Sequence, residues 1–285
     1  VPPWTKSVIG GGGWNADRGN WSMVDSAMCA VSYGRYNVTA LIDAFCLSPG
    51  GELCLQENRL DALTHFFVAR DSMYRQVYQH RVLQAADALT RAVVLRLRDL
   101  SEDAVSSGSP QAVQDALAAH GAFADSTMLA VLLSNSYGSE LPISSLYEMT
   151  ESWWTYHLHR WCNAHDQVLA DLAQRCRTRR LPKTIRLSAQ DEENNNEQTC
   201  ALIEQVKHIA GELGYPPRYY VATIEEKDKH RQKAETVPLV MLDTGEIVPA
   251  TAVEPMIDQL MRRPQASRRW LAVPAEVKQK LGRIR

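Results

Sequence analysis

Apolar positions recur along this chain mostly at helical spacing. Between Asn58 and Leu97, the residues Leu60, Leu63, Phe67, Val77, Val82, Ala86, Leu89, Val93 and Leu97 return mostly at three- to five-residue intervals, with no Gly or Pro between them. That period is the mark of a helix with one buried stripe, here one long helix or two end to end. Upstream, residues 1–14 are rich in Pro and Gly and read as loop. A helix is expected from Ala16 to about Val31, and another from Asn37 to about Cys46. The Ser48-Pro49-Gly50-Gly51 turn then opens a short hairpin through Leu53 and Leu55.

Ser101 to Pro110 reads as a linker, and helical patterns resume over 111–119, 125–134, 144–162 and 166–179. The basic end of the last is stopped by Pro182, and the polar stretch 191–197 is a linker or the start of another helix. Beyond 198 the texture changes. Leu202, Val206, Ile209 and Leu213 mark a helix ended by Gly214, and Arg218–Ile224 reads as a strand. Asp243-Thr244-Gly245-Glu246 between two apolar runs is a hairpin signal, followed by a helix over 252–262 and a strand at Trp270–Val273. The expected fold is mainly α through about residue 190, with a small α/β lobe at the C-terminal end.

Composition narrows the class. With 285 residues, 45% hydrophobic and 22% charged, the chain has the make-up of a globular protein large enough for a sizeable core. A net charge of −2 excludes a uniformly basic coat for nucleic acid. Two local basic stretches, Arg175–Arg186 and the region from Arg262 onward, read either as solvated helix faces or as contacts for nucleic acid. No apolar run approaches about 20 residues, so no membrane-spanning helix is expected. The six cysteines include no C-x-x-C pair and fit no zinc spacing, so they read as reduced thiols packed in a core, in keeping with a cytoplasmic protein. The chain opens on Val1, which reads either as a processed N-terminus or as the C-terminal part of something longer.

Two clusters carry candidate chemistry. In Asn15-Ala16-Asp17-Arg18-Gly19-Asn20-Trp21-Ser22-Met23-Val24-Asp25, positions 17, 21 and 25 step by four and share one helix face, with Arg18 at its margin. The bland reading is a capped helix start with a favourable acid in its first turn. In Ala69-Arg70-Asp71-Ser72-Met73-Tyr74-Arg75-Gln76-Val77-Tyr78-Gln79-His80-Arg81, positions 70, 74, 78 and 81 form a polar stripe on an otherwise apolar helix. Arginine offers a planar fork of donors for phosphate oxygens, and tyrosine offers a flat face with a hydroxyl. A nucleotide needs both kinds of group together; the bland reading is a solvated stripe with buried stems.

The two clusters, in this order and about fifty residues apart, resemble the C-terminal portion of the dNTP triphosphohydrolases of the HD superfamily, the SAM-and-HD-domain type. That family shows D-A-D-R-x-D-Y-L-x-R-D, then G-V-x-Y-G-R, then A-R-x-x-M-Y-x-x-V-Y-x-H-K. Here the first segment runs from Asn15 to Asp25, the second is Ala30-Val31-Ser32-Tyr33-Gly34-Arg35, and the third is Ala69 to Arg81. A weaker likeness continues through Arg180–Lys183, Pro217–Val221 and Ala272–Pro274.

The resemblance implies that 1–100 is the second half of an HD-type helical core, 101–190 a helical extension and 191–285 the α/β lobe. It implies a metal-dependent phosphohydrolase that converts a dNTP to deoxynucleoside and triphosphate. Asp17 would be a ligand of the divalent metal (Mn, Fe, Mg or Zn), with the remaining ligands upstream of this chain. Arg18 and Arg70 would hold phosphates and Asp25 the sugar 3′-hydroxyl. Tyr78 would pack on the sugar and Gln79 would lie near the base. Trp21, Tyr74 and Arg81 complete the candidate substrate-binding set, and a homo-oligomer is compatible with the reading.

This chain departs from the pattern at Asn20, Trp21 and Val24, where the family has Asp, Tyr and Arg. The alternative class is therefore a non-catalytic HD-like module that binds a nucleotide or assembles with a partner. His165-Asp166, the chain's single His-Asp dipeptide, follows Asp17 instead of preceding it, and Asp166 reads as a helix cap. His157 and His159 are two apart on a helix and point to different sides. His80 reads as structural.

Overall fold

The computed structural model describes residues 2–10, 13–134, 141–187, 194–225, 237–262 and 269–284. The protein is mainly α, with short strands β1 (Phe45–Leu47), β2 (Leu53–Gln56), β3 (Lys183–Arg186), β4 (Ala222–Glu225), β5 (Leu239–Met241), β6 (Ile247–Pro249) and β7 (Arg269–Val273). No helix among the described residues is long and apolar enough to cross a membrane. The chain forms two compact units. One contains the described residues through His80 together with 237–262; the other contains those from Arg81 to Glu225 together with 269–284.

In the first unit, Asn15 caps the helix Ala16–Met28 by accepting from the Arg18 amide at 2.8 Å. Asn37 caps the helix Val38–Ala44 in the same way. β1 and β2 form the expected hairpin, and its turn closes through Ser48 N–H donating to Glu52 O and Gly51 N–H to Ser48 O, both at 2.9 Å. β2 then pairs parallel with β5, which pairs antiparallel with β6, giving the order β1-β2-β5-β6. The helix Leu60–Met73 covers this sheet with Leu60, Leu63, Phe66 and Phe67, which pack with Leu41, Leu55, Val240 and Ile257.

The Ala16–Met28 helix buries a narrow stripe of small residues, Gly19, Ser22 and Ser26. The loop through Gly34 lies across that stripe: Ser22 Oγ donates to Gly34 O and the Gly34 amide donates to Ser26 Oγ, both at 3.2 Å. Gly34 has no room for a side chain. A Cβ there would sit 2.1 Å from the Ser22 carbonyl oxygen and 2.8 Å from Met73 Cγ.

The second unit is built on the helix Arg81–Leu100, whose buried Leu89, Val93 and Leu97 join Leu117, Leu132, Trp161, Leu169 and Leu172 in one cluster. A three-stranded antiparallel sheet, order β3-β7-β4, is covered by the helices Asn194–Glu212 and Ala275–Ile284 through Val206, Ile209, Val277 and Leu281. Polar clamps lock the helices. Arg96 makes a fork with the Asp166 carboxylate, and Arg218 and Tyr219 both donate to Asp99.

Several sequence expectations are corrected. The Pro-rich start forms the helix Pro3–Ile9, opened by Pro3 at its first turn, where a missing amide costs nothing. Cys46 lies in a strand, because the chain turns to extended backbone at Phe45. The linker after Ser101 carries the helix Glu102–Ser106, and the expected helix 144–162 is broken at Met149–Thr150. Residues 183–186 form β3 because they find a partner in β7. Residues 217–220 make a helical turn ahead of β4. The polar stretch 191–197 lies outside the described residues through 193, and a helix starts at Asn194.

The three sequential segments 1–100, 101–190 and 191–285 do not coincide with the compact units. The boundary in the first falls between His80 and Arg81, and residues 237–262 return to the N-terminal unit because β5 completes the sheet beside β2. Of the six thiols, all free, Cys54 is buried, Cys46, Cys162 and Cys176 are half-buried, and Cys29 and Cys200 are exposed, so they do not form a common core set.

Gly34→Ala is expected to cost about 2 kcal/mol or more, the usual penalty for forcing atoms into a packed interior. Gly50→Ala, whose Cβ would meet Ser48 Oγ at 3.6 Å, is expected to be close to neutral. Urea unfolding midpoints of both variants check the contrast.

Candidate functional site

The two motifs meet on one side of the first unit. Trp21 and Asp25 come from the Ala16–Met28 helix, Arg70 from the last turn of Leu60–Met73, and Tyr74 and Tyr78 from the π-turn Tyr74–Tyr78 that follows it. In that turn Gln79 N–H reaches back to Tyr74 O at 2.8 Å. A π-turn accommodates an extra residue in the helical winding. With that winding, Tyr74 and Tyr78 stand 5.4 Å apart, centre to centre, and both meet the Trp21 ring edge to face, at 5.9 and 5.2 Å. The Arg70 guanidinium lies over the Tyr74 face, 5.3 Å from its centre.

Asp25 is bound from across this cluster: Tyr78 Oη donates to Asp25 Oδ2 at 2.5 Å. Burial, then the hydrogen bond to Asp25 and the carboxylate's charge, push the Tyr78 phenol far above its ordinary range. The site is thus a compact patch of three aromatic rings with one guanidinium and one carboxylate at its margins. The Gln79 side-chain oxygen is enclosed beside this turn without a hydrogen-bond donor among the described residues.

The shared face drawn from the spacing of 17, 21 and 25 is realised only in part. Trp21 and Asp25 join the cluster, while Asp17 is exposed in the first helical turn. Arg18, half-buried, donates through Nη1 to Gly13 O at 3.4 Å. Arg81 opens the next helix, is exposed and belongs to the second unit. Among the described residues, no three His, Cys, Asp or Glu side chains stand close enough to hold a metal ion. Asp17 therefore offers one carboxylate and does not constitute a centre.

His165-Asp166 is a structural pair of residues. Asp166 Oδ1 accepts from the Leu169 amide at 2.7 Å as a helix cap, and its carboxylate pairs with Arg96. Burial raises the Asp166 carboxyl, but the Arg96 bonds and the Leu169 amide outweigh it and the net direction is down. His157 is fully buried, with Nδ1 2.9 Å from the Trp153 carbonyl and its ring among Phe123, Trp153 and Trp161. The residues that sequence reasoning missed are Gly19, Ser22, Ser26 and Gly34. For Gly19, Ser22 and Ser26 the signal was present as small side chains three to four apart, a helix face made for close approach, whereas Gly34 lies in the loop outside that helix.

No family model matches this sequence, and no curated protein matches it. Among solved structures, 23 chains match. One is a phosphohydrolase of Bacteroides thetaiotaomicron VPI-5482, with a TM-score of 0.70 and 18% identity over 95% of this chain. Another is a hypothetical protein of Aquifex aeolicus, with a TM-score of 0.53 and 16% identity over 97% of this chain. The chain spans 64% and 58% of the lengths of these two proteins. At such identities the likeness shows a shared fold, that of a structurally characterised phosphohydrolase.

Two outcomes test the geometry. Because the folded chain raises the Tyr78 pKa, its stabilisation is complete below about pH 10, the ordinary tyrosine value, and is lost as pH climbs above it. Phenolate absorbance should be the same for the parent and Tyr78→Phe through the pH range in which exposed tyrosines ionise; a difference appearing there contradicts the bond. Asp166→Ala, which removes a cap and an ion pair, should cost about 2–3 kcal/mol in denaturant unfolding. The same variant should leave metal content unchanged in elemental analysis.

Proposed function

We propose that this chain carries the nucleotide-binding side of an HD-superfamily phosphohydrolase, acting on a dNTP to release deoxynucleoside and triphosphate. The observation that carries the reading is the convergence of Trp21, Asp25, Arg70, Tyr74 and Tyr78 from two segments about fifty residues apart. The shared fold with a phosphohydrolase supports the reaction class.

On this reading, Arg70 and Arg18 neutralise phosphate oxygens as charge builds up during attack on phosphorus. Asp25 accepts the sugar 3′-hydroxyl, which takes the place of the Tyr78 phenol, and the Tyr78 ring then packs on the sugar. Trp21 adds a stacking face where the resembling family has a phenol. Gln79, whose side-chain oxygen is enclosed and unpartnered among the described residues, lies toward the base. The resemblance also implies a divalent metal with Asp17 as a ligand. The described residues do not fit that ion by themselves, since no three-ligand set exists among them, and no step is assigned to it.

A second reading, a non-catalytic nucleotide-binding or assembly module, draws on Asn20, Trp21 and Val24 and on the same lack of a ligand set. The full-length protein with Mn, incubated with each dNTP, separates the two. Triphosphate release that falls about 100-fold in kcat/KM for Arg70→Ala, the usual effect of deleting one charge-stabilising donor, supports the hydrolase. Quenching of tryptophan fluorescence by dNTP without triphosphate release, lost in Trp21→Leu, supports the binding module. Neither release nor quenching would refute both nucleotide readings.

A further inference from the structure

We propose that the helix Ile143–Glu148 and the start of the helix after it form a docking surface for a basic amphipathic segment of a partner protein. This inference is independent of the phosphohydrolase reading and concerns the second unit alone. The helix is built inside out. Ile143, Leu146 and Tyr147 are spaced three and four apart and share one face, yet they are 71%, 55% and 79% exposed. Its half-buried residue is the polar Ser145. A helix that served only its own core would turn the apolar face inward. Contiguous apolar surface rimmed by polar groups marks a contact site.

Charge chooses the occupant. Between Ser101 and His159 the chain holds seven Asp or Glu and no Lys or Arg. Glu148 ends the inverted helix and Glu151 opens the next, and both are exposed. The cations that flank this stretch in sequence are engaged elsewhere. Arg98 donates to the Val131 and Ser134 carbonyls at 3.2 and 3.0 Å, and Arg160 lies over the Phe123 ring, 4.7 Å from its centre.

A partner helix with an apolar stripe between lysines or arginines matches both features. Its stripe covers Ile143, Leu146 and Tyr147, while its cations pair with Glu148 and Glu151. A second copy docked by two-fold symmetry would set these carboxylates against their own counterparts. An anionic lipid surface would repel them in the same way.

The test uses the full chain, without nucleotide, titrated into a fluorescent synthetic peptide of leucine and lysine at amphipathic helical spacing and followed by anisotropy. Saturable binding that weakens as salt rises is expected. Leu146→Ala and Tyr147→Ala should each weaken it about tenfold, the usual scale for an anchoring side chain. Glu148→Gln combined with Glu151→Gln should flatten the salt dependence. Met28→Ala, at an exposed apolar residue of the first unit, should change nothing. All these sites are exposed, so urea unfolding midpoints of the variants should match the parent's. Absence of binding, equal binding of a leucine–glutamate peptide of the same spacing, or binding indifferent to Leu146→Ala and Tyr147→Ala would overturn the proposal. Self-association of the chain that these two substitutions abolish would assign the face to a second copy and overturn it as well.

Discussion

The first unit depends on how closely the Ala16–Met28 helix and the Gly34 loop can approach each other and the end of the Leu60–Met73 helix. Gly34 sits where a single extra carbon would collide with the Ser22 carbonyl and with Met73. Ser22 and Ser26 turn that closeness into hydrogen bonds with the loop, so the polar groups forced into the interior are satisfied. Gly19, on the same stripe, lets the Tyr36 hydroxyl and the Trp14 indole come within reach of the helix backbone. Larger side chains on that stripe would hold the helix away. Trp21 would then lose Tyr74 and Tyr78, and Asp25 would lose its phenol.

The cluster that results is held by aromatic contacts as much as by charge. Edge-to-face rings prefer the geometry seen among Trp21, Tyr74 and Tyr78, and each such pair adds about 0.5–1.5 kcal/mol beyond the area it buries. The Tyr78–Asp25 bond keeps a carboxylate at the edge of this surface and keeps a phenol protonated beside it.

Much of the fold was legible because helices announce themselves locally. The stripe from Leu60 to Leu97 became two helices with a π-turn at their junction, one of the two forms the spacing allowed. Asn15, Asn37, Ser109, Asp125 and Asp166 cap helices as short polar side chains do. The strands were harder. β3 carries Lys183 and Arg186 and becomes a strand only because β7 lies beside it, and β5 is three residues long. Of the candidate site, Arg70, Tyr74 and Tyr78 could be grouped from helical periodicity alone. Arg81 was grouped with them because a regular helix was assumed, and the break at Gln79–His80 assigns it to a different unit.

The sequence by itself determined a mainly helical protein, the places where most helices start and stop, and the two motifs with charged and aromatic groups. These are properties of neighbours in the chain, set by spacing, caps and turn residues. Only the tertiary structure decided which groups meet: Tyr78 with Asp25, 53 residues apart, and β2 with β5 across more than half the chain. It also decided that Asp17 stands exposed and that Cys46 faces Cys54. The reason is physical. A helix satisfies its own backbone locally, whereas a sheet or a packed site exists only when remote segments are brought together at a cost in chain entropy, and the packing that repays this cost has no trace in local spacing.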